Sequence, residues 1–380
     1  MPIFGTRPEA IKMAPIVHAL HESSEFDCFV TVTGQHREML DQVNELFGIT
    51  PDHDLDILQP GQSLSDIMTR TISGLDKLFA VNKPDAVIVQ GDTTTSTAGA
   101  IAAFYHGIPV VHVEAGLRSG NLLSPFPEEA NRKITSQITT LHLAPTTTSR
   151  ANLLAEGVAA EDIVVTGNSV IDALFTTVDK QIPFTDPQLE ELAASGRKIL
   201  LVTTHRRENQ GDAMRGVGRA LARIADAEPD LVIVLPAHKN PVVREAVLPA
   251  LDGKKNVIVT EPLAYGEFTR MLSLAHIVLT DSGGVQEEAP SLGKPVLVMR
   301  ENTERPEAVE AGTVTLIGTD EQKIVTEVDR LLNDPVHFDT MANAVNPYGD
   351  GRASERTVAA IAELLGVGQR IDEFGVTVSV

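Results

Sequence analysis

The sequence of 380 residues has no tryptophan, only 4% aromatic residues and a single cysteine, Cys28. So few aromatic side chains argue against a stacking platform for single-stranded nucleic acid. One cysteine excludes disulfides within the chain and thiolate metal clusters. This cysteine usage is typical of a reducing compartment, and we therefore predict a cytoplasmic protein.

Long apolar runs and an excess of positive charge are also missing. No apolar run approaches the roughly 18–20 residues of a membrane span, and the N-terminus lacks the basic and apolar parts of a signal peptide. The 31 Lys and Arg residues are outnumbered by 52 Asp and Glu residues, which gives a formal net charge of −21. We therefore expect neither a nucleic-acid partner nor a membrane partner, although a few local basic groups suffice to bind a small anion.

Short β-branched runs recur along the chain, each followed by Gly, Asp or Ser and then by a helix-like stretch. They occupy 29–33, 86–90, 110–114, 141–144 and 163–166 in the first half, and 199–203, 231–235, 257–260, 277–280, 296–299 and 314–317 in the second. Nearly continuous apolar strands that alternate with helices predict parallel sheets covered on both faces. Two such series predict an α/β protein with two doubly wound domains.

The change from one series to the next places a domain boundary near residue 167. We predict a first domain at 1–167, a second at 168–352 and a tail at 367–380. Only four residues precede the stretch GTRPE, so we expect a short first strand. The tail has a small β-like pattern that we assign to no element.

Polar and ionisable residues follow the strands of both series. In open parallel sheets, ligands bind beyond the carboxyl ends of the strands. The groups that follow strands are Arg7, Glu9 and Lys12, then Asp92 and Thr93–Thr95, Glu114, His205–Glu208, His238 and Asp281–Gly284. We therefore expect both domains to carry ligand-binding groups at one edge of the sheet.

Ser282, Gly283 and Gly284 stand between a predicted strand and a helix that opens near Val285. Such a turn aims unpaired N–H groups at an anion, and its glycines let a phosphate approach the backbone. A flexible turn with a serine cap is the simpler alternative. The acidic pair that follows, at 287–288, favours phosphate binding, because one of these carboxylates is placed to hold ribose hydroxyls.

The other groups have structural alternatives as well. Arg7 and Lys12 are either anion contacts or surface residues, and His205 is either a ligand or proton-transfer group or a structural histidine. Asp92, Glu114 and the acid at 128 are each, taken alone, more often caps or ion-pair partners. Together at one edge they favour chemistry, because clustered carboxylates shift one another's pKa values and form acid–base pairs.

The sequence shows no sign of a metal or a dinucleotide cofactor. No His, Cys and Asp cluster has metal-ligand spacing, and the Gly-x-Gly at 216–218 has no strand before it. We therefore predict no metal and no cofactor.

Ten stretches give the sequence a close resemblance to the non-hydrolysing UDP-N-acetylglucosamine 2-epimerases. In chain order they are FGTRPEAIKMAP, TGQHREMLDQV, GDTTT, HVEAGLRS, PEEANR, TGNSVIDAL, HRREN, LTDSGGVQEEAPSLGKPVLVMR, TERPEAVEAGT and NPYGDGRASER. They run from residue 4 to about residue 356 and cover nearly all of the chain.

The resemblance implies two Rossmann-like domains in a glycosyltransferase-B-like arrangement, with the active site in the cleft between them. It also implies that a C-terminal helix, at about 353–366, joins the first domain, and that the protein is a homodimer. The implied activity is the reversible epimerisation of UDP-N-acetylglucosamine at C2 to UDP-N-acetylmannosamine.

The resemblance also implies roles for individual residues. Groups at or close to the chemistry are Asp92, Glu114, Glu128 and His205, with Arg7 and Lys12 in the same cleft. The diphosphate is implied to bind at Ser282, Gly283 and Gly284, the ribose at Glu288, the uracil near Phe268, and the ligand also at Arg305. A second UDP-N-acetylglucosamine, acting as an activator, is implied at Gln35, Gln62, Arg206 and His238.

Chemistry restricts how C2 can be inverted, since no adjacent carbonyl acidifies its C–H bond. Without a dinucleotide cofactor, the predicted route expels UDP from C1 while a base removes the C2 proton, which gives a 2-acetamidoglucal. UDP then returns while C2 is reprotonated from the other face. The alternative functions are a UDP-sugar glycosyltransferase, a hydrolysing epimerase and a UDP-sugar sensor without turnover.

Overall fold

The computed structural model describes residues 1–206, 209, 211–303 and 305–375, which fall into two compact units. Unit 1 comprises Met1–Ala173 and Tyr348–Val380, and unit 2 comprises Leu174–Pro347. The boundary lies a few residues beyond the predicted 167/168. The physical reason is that the intervening segment bonds within unit 1, where Asn168 donates to Glu114 and Asp172 accepts from the backbone of Ser354.

Unit 1 contains a parallel sheet in two parts. Its strands are β1 (Ile3–Phe4), β2 (Thr31–Val32), β3 (His53–Asp54), β4 (Val87–Gln90), β5 (Val110–Val113), β6 (Leu141–Ala144) and β7 (Ile163–Val165). The parts have the orders β1-β2-β3 and β4-β5-β6-β7, and a parallel bridge between Pro2 and Ile88 places β1 beside β4. The strand order therefore reverses between β1 and β4, which makes the carboxyl ends of these two strands a topological switch point.

Helices cover the sheet of unit 1. They are α1 (Arg7–Glu22), α2 (Arg37–Phe47), α3 (Leu64–Val81), α4 (Thr94–Tyr105), α5 (Glu128–Ile138), α6 (Thr147–Ala155) and α7 (Ser169–Asp179), which runs across the unit boundary. Helix α4 begins after Thr93, whose side chain accepts the N–H of Ser96 and so satisfies one free donor of the first turn. Its small residues Ala102 and Ala103 pack with Val87 and Val89 in one apolar core.

Unit 2 contains a single parallel sheet. Its strands are β8 (Ile199–Thr203), β9 (Val232–Pro236), β10 (Val257–Thr260), β11 (Ile277–Thr280), β12 (Val296–Val298) and β13 (Val314–Leu316), in the order β10-β9-β8-β11-β12-β13. This is the strand order of a Rossmann-like unit, and its switch point lies between β8 and β11. The groups that follow these two strands are therefore brought together.

The helices of unit 2 are α8 (Pro187–Ser195), α9 (Asp212–Ala227), α10 (Pro241–Val247), α11 (Tyr265–Leu274), α12 (Gly283–Ser291), α13 (Pro306–Glu310), α14 (Glu321–Asn333) and α15 (Pro335–Ala342). Helix α9 illustrates why they form. Its residues Met214, Val217, Leu221 and Ile224 recur at helical spacing and are buried against the sheet. Close packing also requires a glycine here, because a Cβ at Gly218 would lie 2.8 Å from the carbonyl oxygen of Val247.

The chain ends in unit 1 with α16 (Ala353–Leu364), which packs against α1. The carboxylate of Asp172 accepts the N–H groups of Ala353 and Ser354 and so caps this helix. The described part of the tail, 367–375, contains no strand. Its Phe374 donates a backbone N–H to Val165 at the edge of β7, and the β-like residues 376–380 lie outside the described residues.

All the strands predicted from the sequence form, with ends that match the prediction or are shifted by at most two residues. The predicted α/β class with two doubly wound units is therefore confirmed. Strand β3 was not predicted, because His53 and Asp54 are neither apolar nor β-branched. Among the described residues, no helix is both long and apolar enough to cross a membrane.

Candidate active site

Glu114 follows β5 directly and has a backbone conformation that is rare for its residue type. Its φ is +63°, in the left-handed region that favours glycine. Such strain persists only where surrounding contacts hold it, and it is concentrated at functional sites. Only 8% of Glu114 is exposed, so its carboxylate needs partners within the protein.

Among the described residues, Lys12, Gln90 and Asn168 supply such partners. Lys12 Nζ lies 2.5 Å from Oε1 and 2.6 Å from Oε2 of Glu114. Gln90 Nε2 donates to Oε2 at 2.5 Å, and Asn168 Nδ2 donates to Oε1 at 2.9 Å. Glu114 is therefore an ion-pair partner of Lys12. It is also an acid held in one orientation at the carboxyl edge of the sheet in unit 1, where the sequence predicts ligand-binding groups.

Asp92, two residues after β4, is held by α5. Arg132 donates to Asp92 Oδ2 through Nε at 3.0 Å and through Nη2 at 2.7 Å. The same guanidinium donates to Glu129 Oε2 at 3.0 Å. Burial opposes ionisation of Glu129, but the N–H of Ser119 and the Arg132 charge outweigh it and lower its pKa. Arg132 therefore sits between two carboxylates and fixes Asp92.

Glu128 begins α5 beside this cluster. Its Oε2 is buried and has no hydrogen-bond partner among the described residues. A buried carboxyl oxygen without a donor is costly unless a ligand or a proton completes it. Glu128 therefore differs from the neighbouring acids Asp92 and Glu129, whose carboxylates are held by Arg132.

Glu9 links the turn after β1 to the turn after β4, at the switch point of unit 1. Its carboxyl accepts the N–H groups of Gly5 and Thr6 at 3.1 Å and 2.8 Å, and the hydroxyl of Thr93 at 2.8 Å. Burial raises the pKa of this carboxyl to about 7, against the effect of these hydrogen bonds. Arg7, two residues earlier, is exposed at the first position of α1.

In unit 2 the switch point carries an aspartate–histidine pair. Asp281, which follows β11, is fully buried, and its carboxylate lies 3.1 Å from Nδ1 of His205, which follows β8. The same carboxylate accepts the backbone N–H groups of His205 and Arg206 at 2.9 Å and 3.0 Å. The His205 ring stacks on His238, with 5.7 Å between the ring centroids.

This geometry determines what His205 can do. Burial opposes the charge of Asp281, but the hydrogen bonds from His205 and from the Arg206 N–H outweigh it and lower the pKa of Asp281. An ionised Asp281 holds the proton on Nδ1 of His205 and leaves Nε2 to exchange a proton or to contact a ligand. The side chain of His205 is 40% exposed, so a ligand can reach it.

The predicted anion-binding turn starts α12 at Gly283, with Ser282 in the cap position. The guanidinium of Arg305 covers Gly283, since a Cβ on that residue would lie 2.5 Å from Arg305 Nη1. Arg305 Nε also donates to Glu287 Oε1 at 2.5 Å. A helix N-terminus with free N–H groups beside a guanidinium favours a phosphate group. Gly284 lies within the first turn of the same helix.

Glu288 lies one turn further along α12 and is 7% exposed. Its Oε1 accepts the hydroxyl of Tyr265 at 2.9 Å. Burial and the negative charge of Glu288 raise the pKa of Tyr265 well above its ordinary value, so this tyrosine is a donor. Phe268, three residues after Tyr265 on α11, is half-buried, and its predicted role at a base stays a prediction.

Two of the four residues predicted for a second ligand lie in unit 1 and two in unit 2, and the activator site stays a prediction. Gln35 accepts from the hydroxyl of Thr95, and Gln62 accepts from the guanidinium of Arg70, both in unit 1. In unit 2, the Arg206 side chain donates to the backbone of Asp281 and His238 stacks on His205. Arg207 and Glu208, which the sequence also places after strand β8, lie outside the described residues.

Several residues that complete the site were not predicted as site residues. They are Gln90, Asn168, Arg132 and Tyr265, and Asp281 was predicted only as one of the polar groups at the edge of the sheet. Asp281 and Gln90 carried a signal, because each stands at the end of a predicted strand. Nothing in the local sequence indicates that Asn168 reaches Glu114, 54 residues away. Within the described residues, no group of three or more His, Cys, Asp or Glu side chains is placed to hold a metal ion.

Two Rossmann-like units, one with oriented carboxylates and the other with a glycine turn at a helix start and an aspartate–histidine pair, define a doubly wound α/β protein. A model of the UDP-N-acetylglucosamine 2-epimerase family matches residues 18–362. A UDP-N-acetylglucosamine 2-epimerase of Escherichia coli K12 is 55% identical over 365 residues, which are 94% of this chain and 97% of the relative. The chain belongs to the UDP-N-acetylglucosamine 2-epimerase family.

Solved structures agree with this assignment and with the glycosyltransferase-B-like fold class. A UDP-GlcNAc 2-epimerase from Neisseria meningitidis, bound to UDP-GlcNAc, is 46% identical with a TM-score of 0.84, covering 95% of this chain and 99% of that one. A UDP-GlcNAc 2-epimerase from Methanocaldococcus jannaschii, in complex with UDP-GlcNAc and UDP, is 33% identical with a TM-score of 0.75, covering 97% and 99%.

Proposed function

We propose that this chain is an isomerase that interconverts UDP-N-acetylglucosamine and UDP-N-acetylmannosamine at C2. The observation that carries the proposal is Glu114, a strained and buried carboxylate that follows β5, beside the switch point, and is held by Lys12, Gln90 and Asn168. Family membership and the UDP-GlcNAc bound to the Neisseria relative support the substrate.

The proposed reaction is an elimination followed by an addition. A base takes the proton from C2 while the C1–O bond to the diphosphate breaks, which releases UDP and forms a C1–C2 double bond. UDP then adds back to C1, and an acid delivers a proton to the opposite face of C2. UDP leaves and adds back, one proton is removed from C2 and one is added, and no electrons are gained or lost, so the route requires no redox cofactor.

Unit 1 supplies the acid–base groups in this proposal. Inversion requires one group to accept the proton on one face of C2 and another to donate it on the other. Asp92, Glu114 and Glu128 are the carboxyl groups proposed for this work. Lys12 and Arg7 add positive charge at the same edge, which favours an anionic substrate.

Unit 2 is proposed to hold the leaving group. The N-terminus of α12 and Arg305 bind the diphosphate, and Glu288 binds the ribose hydroxyls, with Phe268 at the uracil. A firmly held diphosphate stabilises the charge that develops when the C1–O bond breaks. His205, with its Nδ1 on Asp281, presents Nε2 to the ligand. The activator site and the homodimer stay predictions from the resemblance.

Turnover in deuterium oxide tests the reaction. With UDP-N-acetylglucosamine alone and no added NAD, we expect UDP-N-acetylmannosamine to form with solvent deuterium at C2. The reason is that the abstracted proton exchanges with solvent before C2 is reprotonated. Proton NMR and mass spectrometry measure the incorporation directly.

The same experiment separates the competing functions. Product without deuterium at C2 contradicts elimination. Free sugar and UDP as the only products indicate a hydrolase, and turnover that requires an added acceptor indicates a glycosyltransferase. Binding of UDP without any turnover indicates a sensor.

The anion-binding turn is tested by Gly283→Ala. The new Cβ collides with Arg305 Nη1 and displaces the guanidinium from the helix start. Loss of one charge-assisted hydrogen bond is worth about 1.5–3 kcal/mol, so we expect UDP to bind about tenfold or more weakly by calorimetry. The control is Gly216→Ala in α9, whose Cβ meets nothing closer than 3.5 Å. Wild-type affinity in Gly283→Ala contradicts the assignment.

A further inference from the structure

The stretch TGNSVIDAL follows β7 and contributes one donor, Asn168, to the Glu114 carboxylate. Its Asn168 is 3% exposed and lies just before α7, at the carboxyl edge of the sheet in unit 1. Gly167 before it has a φ of +82°, and a Cβ there would lie 3.4 Å from the Cα of Gly349. The backbone is therefore turned sharply at the point where Asn168 faces the site.

Every polar group of Asn168 is used. Its backbone N–H donates to the carbonyl of Tyr348 at 2.7 Å. Its Oδ1 accepts the N–H of Val170 at 3.1 Å, and its Nδ2 donates to Glu114 Oε1 at 2.9 Å. A flipped carboxamide would place its NH₂ against an N–H and its oxygen against a carboxylate. The orientation of the side chain is therefore determined by its neighbours.

The donors on Glu114 differ in kind. Lys12 contacts both carboxylate oxygens, but it is a flexible point charge, and the proposed function places it beside an anionic substrate. Gln90 and Asn168 are neutral and rigid, with one donor on each oxygen. When Lys12 turns to the substrate, these two amides still hold the plane of the carboxylate.

We propose that Asn168 is a positioning residue that holds the Glu114 carboxylate in its reactive orientation. The inference rests on the proposed function, in which Glu114 exchanges a proton with the substrate. Asn168 acts through Glu114 and does not itself touch the reacting carbon.

The charged and titratable groups around Glu114 determine how a substitution at Asn168 changes the pKa of Glu114. They include Lys12 on α1, His112 on the same strand, and Arg118 and Asp92, whose charges act on His112. Burial lowers the pKa of His112 to about 4, so this histidine is neutral. An aspartate at 168 would therefore set a second carboxylate against Glu114, and the Lys12 ammonium would offset part of its charge.

The test compares Asn168→Asp and Asn168→Ser. Both side chains can still accept the N–H of Val170, so the turn is kept, while the donor to Glu114 is lost. We expect Asn168→Asp to raise the pKa on the acidic limb of the kcat profile by about one unit or more. We expect both variants to lower kcat about tenfold or more at neutral pH, with little change in KM.

A second readout does not depend on activity. Carbon-13 NMR of the Glu114 carboxyl, assigned with Glu114→Gln, should show the same rise of its pKa in Asn168→Asp. If the wild type shows no epimerase turnover, the proposed function fails, and this titration still decides whether Asn168 controls Glu114. An unchanged titration curve in Asn168→Asp overturns the inference.

The structural control is Asn256→Asp. Asn256 Nδ2 donates to the carbonyls of Ala225, Glu228 and Leu231, so it is a half-buried structural amide, and it belongs to unit 2 whereas Glu114 belongs to unit 1. We expect it to lower Tm without moving the pH profile. If the Asn168 variants lower Tm but leave the pH profile of kcat unchanged, as expected for this control, Asn168 is only structural and the inference is wrong.

Discussion

Glu114→Gln is expected to lower kcat for epimerisation by about a thousandfold, within the range that a positioned acid or base contributes. Glutamine preserves the size of the side chain, but it cannot take or give the C2 proton. It also leaves Lys12 without the carboxylate that lies 2.5 Å away. Binding of UDP should change little, because the diphosphate is assigned to unit 2. Steady-state kinetics and calorimetry on the same preparation measure both quantities.

A matched control is available in unit 1. Glu156 is also an ion-paired glutamate, with Arg118 at 2.7 Å and Lys133 at 2.6 Å, but it lies away from the switch point. Its hydrogen bond to Arg118 lowers its pKa to about 2, so it is ionised like a functional carboxylate. Glu156→Gln should lose stability and keep its turnover. A Glu114→Gln variant with more than about a tenth of wild-type kcat would show that Glu114 is an ion-pair partner and nothing more.

Asp281→Asn is expected to lower kcat by about a hundredfold or more while the chain remains folded. The aspartate holds the proton of His205 on Nδ1, at 3.1 Å. An asparagine must keep its oxygen on the backbone N–H groups of residues 205 and 206, so its NH₂ faces the ring. His205 would then carry its proton on Nε2, the atom that should face the ligand. The measurement is kcat at neutral pH together with a histidine NMR spectrum, which reports the tautomer.

The same variant has a predictable effect on stability. The pKa of Asp281 is lowered in the folded protein. The pKa of this carboxyl in the unfolded chain is about 4. Above that pH, the ionised Asp281 contributes fully to the free energy of unfolding, and the contribution is lost as the pH falls through the lower pKa of the folded state. The Tm difference between wild type and Asp281→Asn should therefore narrow below about pH 4.

Asp350→Asn serves as the control for this second prediction. Asp350 is also an acid whose pKa is lowered, in its case by a hydrogen bond from Arg356 at 2.7 Å in unit 1. Its substitution should reproduce the acid-dependent change in Tm and leave kcat unchanged. Equal turnover by Asp281→Asn and Asp350→Asn would contradict a role for Asp281 in orienting His205.

The local sequence was sufficient to predict most strands and the sheet edge at which ligand-binding groups are expected. A strand in a parallel sheet is buried on both faces, so Ile199–Thr203 and Ile277–Thr280 read as apolar runs whatever lies beside them. The polar residues that follow such runs then lie at one edge, because parallel strands share a direction. The sequence by itself therefore determined the two α/β units, the glycine turn at Ser282–Gly284 and the resemblance on which the site residues were named.

Only the tertiary structure decided the partners and the conformations of those residues. Lys12 and Glu114 are 102 positions apart, and the backbone N–H of His205 reaches Asp281 across 76. The left-handed φ of Glu114 and the boundary beyond Ala173 likewise depend on contacts between distant segments. The physical reason is that apolar periodicity is a local property of the chain, whereas the pairing of buried polar groups depends on which strands become neighbours when the sheet forms.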